Sequence, residues 1–140
     1  MGVIPWSPLA GGWLSGRWRK GADAPGSTRA DRIPARYDLS LPGNQRKLEA
    51  AEQLAQLAEE AGMTLIEMAL AFVINHPVVT AAIIGPRTME QLESQLGADE
   101  LELSAAALDR IDEIVPPGTN LNPGDGGWSN PALEPSARRR

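Results

Sequence analysis

The run Val78-Val79-Thr80-Ala81-Ala82-Ile83-Ile84 constrains this chain more than any other stretch. It is apolar and β-branched almost without interruption, the pattern of a strand buried on both faces of a parallel sheet. Residues 2–6 (Gly-Val-Ile-Pro-Trp) predict a second, shorter strand, with Pro5 near its end where a missing amide donor matters least. Helical periodicity fills much of the remainder, and such βα alternation indicates a parallel α/β architecture. Two parallel strands cannot cover both of their own faces. The expectation is therefore a piece of a larger sheet or barrel.

From Ser7 to Gly43 the chain is punctuated by Pro8, Gly11, Gly12, Gly16, Gly21, Pro25, Gly26, Pro34 and Pro42. An irregular stretch of that length inside a compact domain is commonly functional or disordered. It carries Arg17, Arg19, Lys20, Arg29, Arg32 and Arg36, although the chain as a whole has 13 basic against 18 acidic residues. The net charge of −5 argues against a general nucleic-acid binder.

Downstream, Leu48, Ala51, Leu54 or Ala55, Ala58 and Ala61 mark one helix face, and Gly62 stands where a left-handed cap belongs. Thr64 with Glu67 reads as a capping box over a second helix, with Leu65, Met68, Ala69, Phe72 and Val73 inward. His76-Pro77 ends it, because a residue before proline is pushed from helical angles. Thr88 with Gln91 reads as another capping box, over a helix reaching about Ala98. Ser104 caps a last helix with Leu108, Ile111 and Ile114 inward, and residues 116–140 form a Pro/Gly/Asn-rich tail.

Cysteine is absent, which excludes disulfides, a thiol nucleophile and cysteine-based metal sites. The single histidine, His76, does not make a metal site by itself. No stretch approaches the roughly 18 uncharged apolar residues of a membrane span. The N-terminus lacks a basic region followed by an apolar core. A cytoplasmic, non-membrane protein is expected.

Two places carry chemistry. In Ile84-Gly85-Pro86-Arg87-Thr88, a glycine ends the apolar strand and an arginine sits at a helix N-terminus. A cation there, against the usual dipole preference, makes sense if an anion shares the site. Taken alone, the turn reads more readily as an ordinary βα connection with a solvated arginine. Ser7-Pro8-Leu9-Ala10-Gly11-Gly12 follows the first strand, and its small residues let backbone lie against a ligand. Trp6 either offers its indole to a flat ring or packs in the core. Considered together, the two loops support each other: (β/α)8 barrels bind ligands at the carboxyl ends of their strands, with phosphate held near the last two.

"IPWSPLAGGWLSGR" and "AAIIGPRTMEQLESQL" closely resemble the seventh- and eighth-strand regions of the aldo-keto reductase superfamily. The nearest branch is that of potassium-channel β subunits and bacterial general reductases. The resemblance runs from Gly2 to about Val115 and implies a C-terminal part of a TIM (β/α)8 barrel. Residues 1–115 would form this segment, and residues 116–140 the tail. It further implies NADP(H)-dependent reduction of aldehydes or ketones by hydride transfer. Trp6 matches the aromatic that stacks on the nicotinamide, while Ser7, Pro8, Leu9, Ala10 and Gly11 match the loop lining the pyrophosphate. Arg17 matches a basic position near the phosphates, and Arg29 one in the loop folding over the cofactor. Gly85, Arg87 and Gln91 match the adenosine 2′-phosphate and adenine site. An arginine clamp suits NADP better than NAD, because a phosphate dianion rewards charge-assisted bonds. The family helix usually continues to Glu-Asn where Ser94 and Gln95 stand here. Gln95 keeps an amide able to reach adenine in a different pose; Ser94 removes a carboxylate.

The family's catalytic Tyr, Lys, Asp and His reside on earlier strands, and no position here matches them. Tyr37 and His76 are expected to be structural or surface residues. The expectation is an inactive fragment carrying the cofactor loops: a gene fragment, a chain begun at an internal methionine, or the end of a longer protein. A small carbonyl substrate would belong to the full-length family, and a complementary N-terminal half-barrel would complete the site. The alternatives are a catalytically silent NADP-binding or regulatory subunit, or a non-functional remnant. The tail from Asn120, with Trp128, either forms part of the substrate wall or is disordered.

Overall fold

The computed structural model describes residues 2–126 and Ala137; Trp128 and the terminal arginines lie outside them. Parallel bridges join Val3 to Val79 and Trp6 to Ile83. Between the two extended segments run α1 (Thr28–Arg32), α2 (Pro42–Glu60) and α3 (Leu65–Ile74). After them come α4 (Met89–Leu96) and α5 (Ala105–Ile114).

The two expected strands are reduced to isolated bridges among the described residues. Thr80 N–H donates to Val3 O at 2.8 Å and Ile83 N–H to Pro5 O at 2.9 Å, but no continuous ladder forms. Pro5 has no N–H to contribute. The bridges also lie three residues apart on the first segment and four on the second, so an extra residue interrupts the register as in a bulge. Nor is the run from Val78 to Ile84 buried on both faces. Val78 and Ile83 are exposed, as are Val3 and Ile4, because no further strand lies on the outer edges among the described residues.

The helices follow their local signals. Pro42 sits in the first turn of α2, where its missing N–H has no helical partner to lose. Ala50, Ala51, Ala55 and Ala58 form the buried stripe of α2. Gly62, at φ 72°, closes the helix in a Schellman turn: its N–H donates to Glu59 O and Met63 N–H to Ala58 O, both at 3.0 Å. Thr64 and Glu67 cap α3 reciprocally, Thr64 N–H donating to Glu67 Oε2 at 2.7 Å.

Expected and observed inward faces differ in detail. Leu65, Met68, Ala69, Leu70 and Ala71 are buried on α3, whereas Phe72 is exposed. The reason is that α3 packs against both α2 and the 3-10 turn Gly97–Glu100, so two of its faces are covered. On α5, Ile111 is buried and Leu108 is exposed.

Ala55, Ala58, Leu65, Met68 and Ile111 make the helical core, with Leu14, Leu54, Leu57, Met63 and Leu103 against it. Each large apolar side chain fully buried there contributes roughly 1.5–3 kcal/mol. The long loop has a core of its own: Trp13, Trp18 and Tyr37 are buried, with Ala30, Leu39 and Leu48 around them. The two indoles stack with centroids 4.2 Å apart, and Tyr37 lies 5.8 Å from each. Among the described residues no helix is long and apolar enough to cross a membrane.

Candidate functional site

The Trp6–Ile83 bridge sets the carboxyl ends of the two extended segments side by side. The Ser7 loop and the Gly85 turn consequently leave from one edge. Trp6 is 79% exposed there, so its indole stands at the rim and is no part of the core.

The Ser7–Gly12 loop is tightly wound. Ser7 at φ 59° and Ala10 at φ 49° lie in the left-handed region, which residues with a Cβ seldom adopt. Local bonds hold them. Ala10 N–H donates to Ser7 O at 2.9 Å, Gly11 N–H to Ser7 Oγ at 3.2 Å, and Gly12 N–H to Leu9 O at 2.8 Å. These amides are engaged within the loop, while the N–H groups of Ser7 and Leu9 have no partner among the described residues. The Tyr37 hydroxyl braces the loop by donating to Gly11 O at 2.9 Å.

The second loop is built differently from its sequence reading. Gln91 N–H donates to Thr88 Oγ1 at 3.2 Å, as a cap requires. The Gln91 side chain, however, accepts Arg87 N–H at 2.8 Å in place of Thr88 N–H, so only half of the expected capping box forms. Gln91 thereby rigidifies the turn that presents Arg87. Gln95 is buried, and its Nε2 donates to Gln91 O at 2.7 Å. Its amide is occupied within α4 and is not offered to the rim. Gly85 is exposed, with open space where a Cβ would stand.

The two loops meet through a residue the sequence did not single out. Arg87 Nη1 donates to Thr28 Oγ1 at 2.6 Å, tying the second loop to the first turn of α1. Its chain neighbour Arg29 lies against the first loop, with Nη1 3.7 Å from where a Cβ on Gly11 would stand. Gly11, Arg29, Thr28 and Arg87 form one contiguous path. Arg17 is not on it, because its Nη2 donates to Gly26 O at 3.2 Å and braces its own loop.

Ion pairing sorts the basic loop. Arg19 binds Glu52 and Glu59, Lys20 binds Glu49, and Arg36 lies 3.6 Å from Asp125. Arg17, Arg29, Arg32 and Arg87 have no carboxylate partner among the described residues. Of these, Arg29 and Arg87 lie on the path between the loops, Arg32 shares α1 with Arg29, and Arg17 lies off the path with its guanidinium on Gly26 O.

Tyr37 is poorly disposed to proton transfer: its hydroxyl is engaged, and burial pushes the phenol up, with Arg29 and Arg36 pulling it partly back. His76 is exposed at the opposite, amino end of the second segment, where its Nδ1 accepts Val78 N–H at 3.3 Å. The sequence signal that would have flagged Thr28 is Ser27, whose side chain caps α1 by accepting Ala30 N–H at 2.9 Å.

The sequence profile described as Aldo/keto reductase family matches residues 1–116. An uncharacterized oxidoreductase of Bacillus subtilis (strain 168), YrpG, is 39% identical over 116 residues, which are 83% of this chain and 32% of that protein. A Schizosaccharomyces pombe protein whose name assigns it as a voltage-gated potassium channel subunit beta is 29% identical over 116 residues, covering 81% of this chain and 34% of that protein. The chain spans about a third of the length of these relatives. A glycerol dehydrogenase structure from Gluconobacter oxydans superposes on 81% of this chain and 33% of its own, with a TM-score of 0.65 and 21% identity, a likeness of fold. With residues 1–116 matched, the chain belongs to the aldo/keto reductase family.

Proposed function

We propose that this chain carries the NADP(H)-gripping edge of a carbonyl-reducing aldo/keto reductase, formed by the seventh- and eighth-strand regions of a (β/α)8 barrel. The observation that carries this reading is the path Gly11–Arg29–Thr28–Arg87, which joins the two loops that leave the edge where Trp6 is exposed. The fit to a dinucleotide is good in three respects. An exposed indole suits a flat nicotinamide ring. The N–H groups of Ser7 and Leu9, which have no partner among the described residues, suit a pyrophosphate. Arg87, held by Thr28 and turned by Gln91, suits a 2′-phosphate, with Arg29 next in sequence to Thr28 and Gly85 leaving room for close approach. Arg17 and Gln95 fit less well, being committed to Gly26 and Gln91.

When bound, the nicotinamide supplies a hydride for a small aldehyde or ketone. The residues here bind and orient it. The proton donor and the groups that tune it belong to other βα units, a reading supported by the engaged hydroxyl of Tyr37 and the remote position of His76. Exposed Val3, Ile4, Val78 and Ile83 support a complementary part-barrel as the partner. The test is a fluorescence titration of the folded protein with NADPH and NADH. Saturable binding that favours NADPH is expected. Absence of a saturable signal overturns the cofactor assignment, and measurable aldehyde reduction by this chain alone overturns the claim that the catalytic groups lie elsewhere.

A further inference from the structure

We infer that residues 120–126 act as a clasp that positions the Ser7–Gly12 loop, with Asn122 and Asp125 as positioning residues. The role of this clasp in nucleotide binding rests on the reading above; its role in holding the loop does not.

Asn44, on α2, is the most informative side chain for this purpose. It is completely buried. Its Nδ2 donates to Ala35 O at 2.9 Å and to Asp38 O at 2.8 Å, the carbonyls on either side of Tyr37. Its Oδ1 accepts from Asn122 Nδ2 at 2.9 Å, across 78 positions of sequence. A buried amide with all of these bonds made holds its partners in register, because leaving any of them unsatisfied in the interior is costly. Asn122 is itself fixed, because its Oδ1 accepts Gly124 N–H at 3.1 Å and caps the 3-10 turn Pro123–Asp125.

A second set of contacts runs in parallel. Asp125 pairs with Lys47 and lies 3.6 Å from Arg36. Lys47 Nζ also donates to Arg36 O at 2.8 Å and stands 4.7 Å from the Trp13 ring centroid. Arg46 Nε adds a bond to Leu121 O at 3.0 Å. The closeness of the fit shows at Gly43, where a Cβ would come within 2.8 Å of Asn122 Cγ. Both sets converge on Tyr37 and Trp13, and Tyr37 delivers the constraint to Gly11 O. The clasp therefore holds the aromatic trio, and the trio holds the strained loop.

The test uses Asn122→Ala and Asp125→Asn in the full chain, with two readouts. One is the near-ultraviolet circular dichroism of the stacked indoles, assigned by its loss in Trp13→Phe; the other is NADPH affinity. Both variants are expected to melt cooperatively, to lose much of the indole signal, and to bind NADPH about tenfold more weakly, the scale of one buried hydrogen bond. If Asn122→Ala does not fold, Asp125→Asn, which keeps its size and removes only the charge, decides. An indole signal at the parent level in the folded variants overturns the clasp. If the parent binds no NADPH, the cofactor reading fails, yet loss of the indole signal still upholds the clasp.

Discussion

Arg87 and Thr28, 59 positions apart in sequence, meet through a 2.6 Å hydrogen bond that joins the two loops of the candidate site. A guanidinium held by one hydroxyl, with its backbone fixed by Gln91, retains further donors for a phosphate dianion. Arg87→Leu is expected to weaken NADPH binding by about tenfold to a hundredfold, the equivalent of one charge-assisted bond. NADH, which lacks the 2′-phosphate, should change by less than about threefold. Titrations of parent and variant with both nucleotides measure the contrast; an equal loss for both removes Arg87 from the 2′-phosphate site.

Tyr37→Phe isolates the brace on the first loop. The ring can remain between Trp13 and Trp18, while Gly11 O loses its donor at 2.9 Å. The expected cost is about 1 kcal/mol in urea unfolding. Weaker NADPH binding should accompany it if loop geometry sets affinity, and unchanged affinity would separate the brace from the site.

The ion-pair network on α2 predicts an acid limb. Glu52 is held down to about 2, first by the Arg19 guanidinium and then by Lys20 N–H. A carboxyl depressed on folding contributes stability above its ordinary value of 4.5, and loses that contribution as pH falls toward 2. Because Arg19 is about a third exposed, the contribution is set at ~1 kcal/mol near neutral pH. Glu52→Gln should remove this amount near neutrality and flatten the decline in stability on acidification. Urea titrations across that pH range measure both effects.

What the sequence revealed was mainly local. Gly62, Thr64, Thr88 and Ser104 each carry a termination or capping signal within a few residues, and each cap is found. The two loops belong at one edge because parallel pairing dictates it. Long-range satisfaction was not readable. Nothing adjacent to Asn44 announces Asn122, and nothing near Arg87 announces Thr28. Trp13, Trp18 and Tyr37 look like scattered aromatics in a glycine-rich stretch until the fold brings them together. For Gln95 the sequence gives the register but not the side chain's partner, which is Gln91 O within α4. The apolar strand misled because burial on both faces depends on neighbours that its own sequence does not contain.

The sharpest test of the strained loop uses one substitution at two places. Ala10 sits at φ 49°, where a Cβ is unfavourable, whereas Ala55 is buried within α2. In the helix, Ala→Gly adds freedom to the unfolded chain and removes a packed methyl, for an expected loss of about 1–2 kcal/mol. In the loop, the added freedom opposes the relief of roughly 1–3 kcal/mol of backbone strain. Ala10→Gly should therefore be neutral or stabilising by up to about 1 kcal/mol. Its effect on binding should run the other way, because a glycine at position 10 no longer fixes the turn that orients Ser7 and Leu9. Ala10→Gly is thus expected to match or exceed the parent in urea midpoint while binding NADPH less tightly, and Ala55→Gly to fall in midpoint with affinity unchanged while folded. Equal destabilisation of the two variants would show that the loop stores no strain at Ala10.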